Sequence, residues 1–490
     1  MATRRFVITI AALSLATAGA LSAWQGAAQP PSSTAVVPKG RAPVSTEILK
    51  LKLPRAAEAD LPNGLHVIVL EDRRVPQVTF QLLIPGAGGY YDPADMSGLA
   101  SVTAAMMREG TPSRSTLQIA EQLESLASTV TVGTGTASVD ATVSGSSLTE
   151  HFDATFGIAA DVLLNPTFPD AELTRYKERT RAGLLQQRTI AGFLASEMFS
   201  RVVYGTHPAS RISITAPVLD KLTRTMLVDF HRDRYVPDNA VLAVAGDISM
   251  DEVRKVGDAK LAGWKKRGTP APMVEDPPAI GPGKIYFVAR PNSVQTNFIV
   301  GTQGINRTAP DYDIVQVMNQ VLGGGPTGRL FIVLREEKGY TYGAYSGLSA
   351  PRFRGNWSAN TEVRTDVTEA AFRDLMIQIA RMRDEPVPEK EFQDKKRGMV
   401  ASFALSLESP QAVLNNHIQR WLYKLPADYW DRYPERVAAV TQAQVQEAAK
   451  KYLAQNRLQI VAVGDPKIGE TMKQFGTVET YDTEGKIVGR

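Results

Sequence analysis

The chain has 490 residues, 43% hydrophobic and 22% charged, enough to bury cores in two or more domains. Its 55 basic and 51 acidic residues leave a formal charge of +4, or +2 once Arg4 and Arg5 are set aside, too balanced for a nucleic-acid binder. The absence of cysteine excludes disulfides and thiolate chemistry and leaves stability to packing.

At the start, Arg4 and Arg5 precede an apolar run from Phe6 to about Leu21, followed by small residues. Residues 1–28 therefore read as a secretory signal peptide, which predicts export, most simply to a periplasm. Ala18-Gly19-Ala20 and Gly26-Ala27-Ala28 both offer small residues for cleavage. A single membrane anchor is the alternative, although the run is shorter than the roughly 20 residues a span needs. Residues 29–57, rich in Pro, Ser and Ala, read as a flexible lead-in.

From 58 to 265 the pattern suggests a first domain. LHVIVLE and VTFQLLI have the β-branched content of strands, and Ser128 to Val143 alternates like a hairpin. Residues 266–282 hold several prolines and glycines without periodicity and read as an interdomain linker. Residues 283–490 then repeat the first domain. Thr149-Glu150 leads into an apolar helix, and Thr368-Glu369 does the same in the second half. Pro169 opens a basic helix, and so does Pro388, at the same offset that separates Thr149 from Thr368. Tyr235-x-x-x-Asn239 runs into AVLAVAGD, and Tyr452-x-x-x-Asn456 into RLQIVAVGD, at nearly that offset again. Three matches in one order predict an α+β fold used twice, each copy a mainly antiparallel sheet faced by helices.

Leu61-Pro62-Asn63-Gly64-Leu65, then Gly86 to Asp92, then Gly98 to Thr111 resemble the opening of the pitrilysin/insulinase peptidases, which include the mitochondrial processing peptidases. Active members carry an inverted zinc motif, His-x-x-Glu-His, on a helix entered by a glycine and left through Gly-Thr. Gly98-Leu99-Ala100 and Gly110-Thr111 keep that frame, but SVTAAMMRE lies between them. The resemblance puts Ser101, Ala104 and Ala105 at the three motif positions, and Ala182-Gly183 near the family's third ligand, a glutamate. A catalytic zinc needs about three nitrogen or carboxylate ligands, and its water needs a base. The expectation is no metal site in this chain. His66, His151, His207, His231 and His417 read as surface or structural histidines, and Glu109 and Glu178 as solvated helix carboxylates.

In the second copy, Gly323-Gly324-Gly325-Pro326-Thr327-Gly328-Arg329-Leu330-Phe331 followed by Leu334-Arg335-Glu336-Glu337-Lys338-Gly339-Tyr340-Thr341-Tyr342-Gly343 resembles the family's C-domain signature. There an arginine and a tyrosine seven residues apart reach the scissile peptide, and Arg335 and Tyr342 match. Such donors suit a carbonyl oxygen that gains negative charge. Taken alone, Arg335 reads as a helix-surface residue and Tyr342 as an ordinary strand aromatic, with Tyr340 and Tyr345 competing for the tyrosine role. The resemblance also implies substrate contact at Gly323, Gly324, Gly325 and Thr327. No Gly-Lys-Ser/Thr follows the glycines, which excludes a phosphate loop.

The expected function is that of the non-zinc-binding subunit of a two-chain peptidase, inactive alone, whose partner is a related subunit carrying His-x-x-Glu-His and zinc. A catalytically inert scaffold or peptide-binding protein of the same fold, including a homodimer, is the alternative. Autonomous hydrolysis is disfavoured, because Ser101 has no histidine nearby in sequence and no Gly-x-Ser-x-Gly elbow is evident.

Overall fold

The computed structural model describes residues 47–270 and 272–489. The signal segment and residues 29–46 of the lead-in lie outside the described residues. From Leu49 onward the chain forms one compact unit.

Two sheets organise it. The first comprises β1 (Ala57–Asp60), β2 (His66–Glu71), β3 (Gln77–Pro85), β4 (Thr129–Gly133), β5 (Asp140–Leu148) and β6 (Val241–Gly246), in the order β1-β2-β6-β3-β5-β4. The second comprises β7 (Ile285–Ala289), β8 (Gln295–Gln303), β9 (Ala344–Ser349), β10 (Asn356–Arg364), β11 (Gln459–Gly464), β12 (Val478–Tyr481) and β13 (Ile487–Gly489), in the order β13-β12-β7-β11-β8-β10-β9. The block β2-β6-β3-β5-β4 recurs as β7-β11-β8-β10-β9, so the duplication read from the sequence is a duplication of topology. Most pairs are antiparallel, but β2 runs parallel to β6, and β7 runs parallel to both β11 and β12. Those parallel pairs were not foreseen. The expected hairpin is present, with Val132 opposite Val143. The fold class is α+β.

The central strands explain their own composition. In β2, Val67 and Val69 join the core beneath the first sheet's helices, while Ile68 and Leu70 face the other way and are equally buried. A strand covered on both faces needs an unbroken apolar run rather than alternation. The cover on the outer face comes from the far half of the chain. Val413, Leu414 and Ile418 of the helix Pro410–Leu422 pack on Ile68, Leu70, Val241, Ala243 and Ala245.

The reverse also holds. Leu194, Met198 and Phe199 of the helix Ala191–Tyr204 pack on Val461 and Val463 of the second sheet. Gly301 permits that approach, since a Cβ there would lie 2.6 Å from the Phe199 ring. The two helices occupy equivalent places in the repeat, Ala191 standing to Pro410 as Pro169 stands to Pro388. Each half therefore lends one helix to close the other's sheet.

The lead-in and the interdomain linker are both held down near this junction. Leu53, in the expected flexible lead-in, is 4% exposed, its amide donates to Asp431 at 2.8 Å, and the Pro54 carbonyl meets His417 at 2.8 Å. The lead-in is thus not loose from Leu53 onward: a leucine in the outer-face core fixes it. Among its described residues the Pro-rich stretch 266–282 has no helix or strand, but it is tied at several points. Asp238 accepts from the amides of Arg267 and Thr269, both at 2.9 Å, and Gln303 donates to the Pro278 carbonyl at 2.7 Å.

Candidate functional site

The helix Leu99–Met106 carries Ser101, Ala104 and Ala105, the positions that the resemblance assigns to the zinc motif. Gly98 enters it at φ +107, and a Cβ there would lie 2.7 Å from Ile214, so glycine is required both by backbone and by space. The amides of Gly98 and Ala100 donate to the two oxygens of Asp92 at 2.7 and 2.9 Å. The carboxylate thus satisfies donors that a helix start leaves unpaired. Burial pushes the Asp92 carboxyl up to about 6, against those two hydrogen bonds.

The three motif positions offer a metal nothing. The Ser101 hydroxyl donates to the Thr134 carbonyl at 3.2 Å, Ala104 is 0% exposed, and Ala105 is half-buried. Ala182 and Gly183 lie exposed on the helix Asp170–Gln187, with Glu178 solvated one turn earlier. The histidines are spread through the fold. His231 meets the Leu163 carbonyl at 2.7 Å and stacks on Tyr235, His207 meets the Glu275 carbonyl at 3.0 Å, and His66 stacks on Trp421. Among the described residues there is no group of three or more His, Cys, Asp or Glu able to hold a metal ion. A zinc ion does not fit the residues at this helix.

The second half builds a different surface. The helix Tyr312–Leu322 ends in the glycine turn, where the amides of Gly323 and Gly324 both donate to the Asn319 carbonyl at 2.9 Å. Gly323 is buried against β9. A Cβ on it would lie 2.5 Å from the Ser346 amide, which instead donates to the Gly323 carbonyl at 2.8 Å. Its lack of a side chain is accounted for by that contact, so of the four residues assigned to substrate only Gly324, Gly325 and Thr327 are open. Gly325 and Thr327 are then held from below. Gly328 donates to the Gly325 carbonyl, the Lys395 ammonium donates to the Thr327 carbonyl, and Arg329 forms a two-pronged pair with Glu391 at 2.9 Å on each prong. That fork geometry fixes direction as well as distance. Burial pushes the Lys395 ammonium down from its usual range. Asn319, Glu391 and Lys395 carry no sequence signal that sets them apart from ordinary helix residues, and Arg329 stands inside the quoted signature with no role read for it.

Beyond Gly328, the short helix Arg329–Phe331 widens into a π-helical turn over Ile332–Glu337, which contains Arg335. Such turns interrupt the usual hydrogen-bond ladder and cluster at functional sites. Gly339, at φ +63, reverses the chain. Thr341 then accepts from the Gly343 amide at 3.1 Å, and Thr361 donates to the Gly343 carbonyl at 3.0 Å. Tyr342, between these anchors, is 90% exposed, and Arg335 is half-buried. Among the described residues neither side chain has a hydrogen bond, ion pair or ring partner. The competing tyrosines are engaged: Tyr340 packs on the second core, and Tyr345 lies against Phe331 with ring centres 5.5 Å apart.

A model of the insulinase family, peptidase family M16, matches residues 66–207, and a model described as the peptidase M16 inactive domain matches residues 221–399. The chain belongs to peptidase family M16. Among M16 structures, the crystal structure of the peptidase M16 inactive domain from Pseudomonas fluorescens superposes with a TM-score of 0.77 at 29% identity, over 84% of this chain and 98% of that one. A protease from Helicobacter pylori shares the fold, with a TM-score of 0.77 at 15% identity over 84% of this chain and all of that one. In sequence, the uncharacterized zinc protease YmxG of Bacillus subtilis is 24% identical over 358 residues, covering 72% of this M16 chain and 85% of YmxG.

Proposed function

We propose that this M16 chain is the non-metal-binding subunit of a two-chain, exported peptidase, and that it presents Arg335 and Tyr342 to a zinc site held by a related partner subunit. The observation that carries this reading is an asymmetry between the halves. The helix that bears the metal ligands in active members has Ser101, Ala104 and Ala105, and Ala104 is sealed from solvent. The opposite half keeps a guanidinium and a phenol with no partners of their own, Tyr342 being 90% exposed. Unpaired donors on anchored backbone suit a transient acceptor such as a peptide carbonyl that gains negative charge during hydrolysis. The metal chemistry belongs to the partner. This chain binds the peptide and supplies hydrogen bonds to the carbonyl oxygen, Arg335 in a fork that lysine cannot reproduce.

The test is co-expression with a zinc-bearing M16 relative from the same genome. Co-purification, with peptidase activity only in the mixture, supports the reading. Tyr342→Phe should then lower kcat by around 10²-fold, the scale of one lost oxyanion donor. An unchanged rate rejects that role. A solitary homodimer that is inactive in every mixture would instead favour a scaffold of the same fold.

A further inference from the structure

The reading above leaves open how two side chains with no polar partners of their own are aimed. The segment bearing them runs from the glycine turn to Ser346 on β9, with Leu330, Leu334 and Ala344 buried in the second core on the way. Those two points meet at Gly323, where strand and turn touch at backbone distance. Asn319 closes this base. It is 7% exposed, and every polar atom of its side chain is used. Its Oδ1 accepts from the Ser346 hydroxyl at 2.8 Å and from the Trp357 indole N–H at 3.0 Å, and its Nδ2 donates to the Ser346 carbonyl at 3.2 Å. Its own carbonyl takes the amides of Gly323 and Gly324. One residue therefore ties the start of the segment, its end, and β10, on which Trp357 lies fully buried.

We propose that Asn319 is a positioning residue for the Arg335 and Tyr342 pair, acting by locking the glycine turn to Ser346 of β9. This rests on the reading of those two residues given above. The physical link runs through short chain. Tyr342 lies four residues before Ser346, and its other ties are the bonds of Thr341 and Thr361 to Gly343, the pairing of Ala344 with Thr361 of β10, and the bond of the Tyr340 amide to the Leu334 carbonyl at 2.9 Å. If the Asn319 side-chain bonds are lost, the buried Trp357 N–H and Ser346 hydroxyl are left unpaired, and the turn is tied to β9 by the backbone bond between Ser346 and Gly323 without its side-chain lock, so the exit of the segment can relax. A shift of about 1 Å in a group aimed at a transition state costs up to about 10²-fold in rate.

The experiment uses the chain assembled with its zinc-bearing relative and follows two variants. Ser346→Ala removes one bond and leaves packing almost unchanged, whereas Asn319→Leu keeps the branched shape with somewhat more bulk and removes all three side-chain bonds. The expected result for Ser346→Ala is a fall in kcat of about 10-fold with KM nearly unchanged, with a larger fall for Asn319→Leu. Each is then combined with Tyr342→Phe. In that background Ser346→Ala should cause a clearly smaller further loss, because of the two donors being aimed only Arg335 remains. An equal loss in both backgrounds, or none in either, overturns the positioning role while leaving the Tyr342 reading intact. If Tyr342→Phe alone leaves the rate unchanged, the earlier reading falls and this proposal with it. Because Ser346→Ala is expected to fold normally, misfolding of Asn319→Leu leaves the test decisive.

Discussion

Gln303, the last residue of β8, donates from its side-chain amide to the carbonyl of Val203 at 2.9 Å. The bond joins the second sheet to the helix that the first half sends across to cover it. Phe199 lies one turn earlier on that helix, 4% exposed and directly over Gly301. Phe199→Ala should destabilise the protein by about 3–5 kcal/mol, the usual range for a buried phenylalanine. The whole of Leu49–Arg490 should also unfold in a single transition in urea, with tryptophan fluorescence and far-ultraviolet dichroism coinciding. Two resolved transitions would show that the exchanged helices do not couple the halves.

The sealed position at Ala104 makes a second expectation. Ala104→Glu, the family's base, would place a carboxylate at a site with 0% exposure. It should cost about 2 kcal/mol or more for want of solvation. Ala182→Glu, on an exposed helix face, should stay within about 0.5 kcal/mol of the parent. Equilibrium denaturation of the two variants side by side would separate them, and equal stability would contradict the packing of the zinc-motif helix.

Asp92 predicts a pH dependence. Its folded value is raised by burial to about 6, above the roughly 3.9 of an unfolded aspartate. The folded state therefore holds this proton more tightly, and the associated stability is complete below about pH 4 and lost as pH rises through 6. Relative to Asp92→Asn, which does not titrate, the parent should lose up to about 3 kcal/mol between pH 4 and pH 7. A parallel pH profile for the two proteins would show that Asp92 is not shifted.

Arg335 and Tyr342 should be silent in stability. Neither side chain has a partner among the described residues, so Arg335→Ala and Tyr342→Phe should leave the melting temperature of the isolated chain unchanged, within about 0.5 kcal/mol. A large loss in either would mean that the side chain is spent on the fold rather than offered outward.

The duplication, the hairpin and both Pro-initiated helices were legible because each depends on local pattern: turn residues, alternation, and a spacing between the copies that holds from Thr149 and Thr368 to Pro169 and Pro388. The exchange of the helices Ala191–Tyr204 and Pro410–Leu422 was not. Periodicity shows that Leu194 and Met198 share an apolar face, but not whose sheet that face meets. One clue was present in the four consecutive buried residues of β2 and the six of β6, which require cover on both faces. At the candidate site, the seven-residue spacing of Arg335 and Tyr342 could be read, while the π-helical turn beneath Arg335 and the amide of Asn319 could not. The Asn319 bonds reach β9 and β10, and the π-helical turn lies against the helix Thr368–Asp384, contacts made only after the chain has folded back on itself.

The tied-down segment between the repeats has a mechanical consequence. Gln303 fixes Pro278, Asp276 accepts from the Arg354 amide at 2.7 Å, and the Glu275 amide donates to the Tyr90 hydroxyl at 2.9 Å. A hinge in this stretch would have to break all three at once, and with them the reciprocal cover of both sheets. From Leu49 onward the chain is accordingly built to move as one body, with no joint where the two repeats meet.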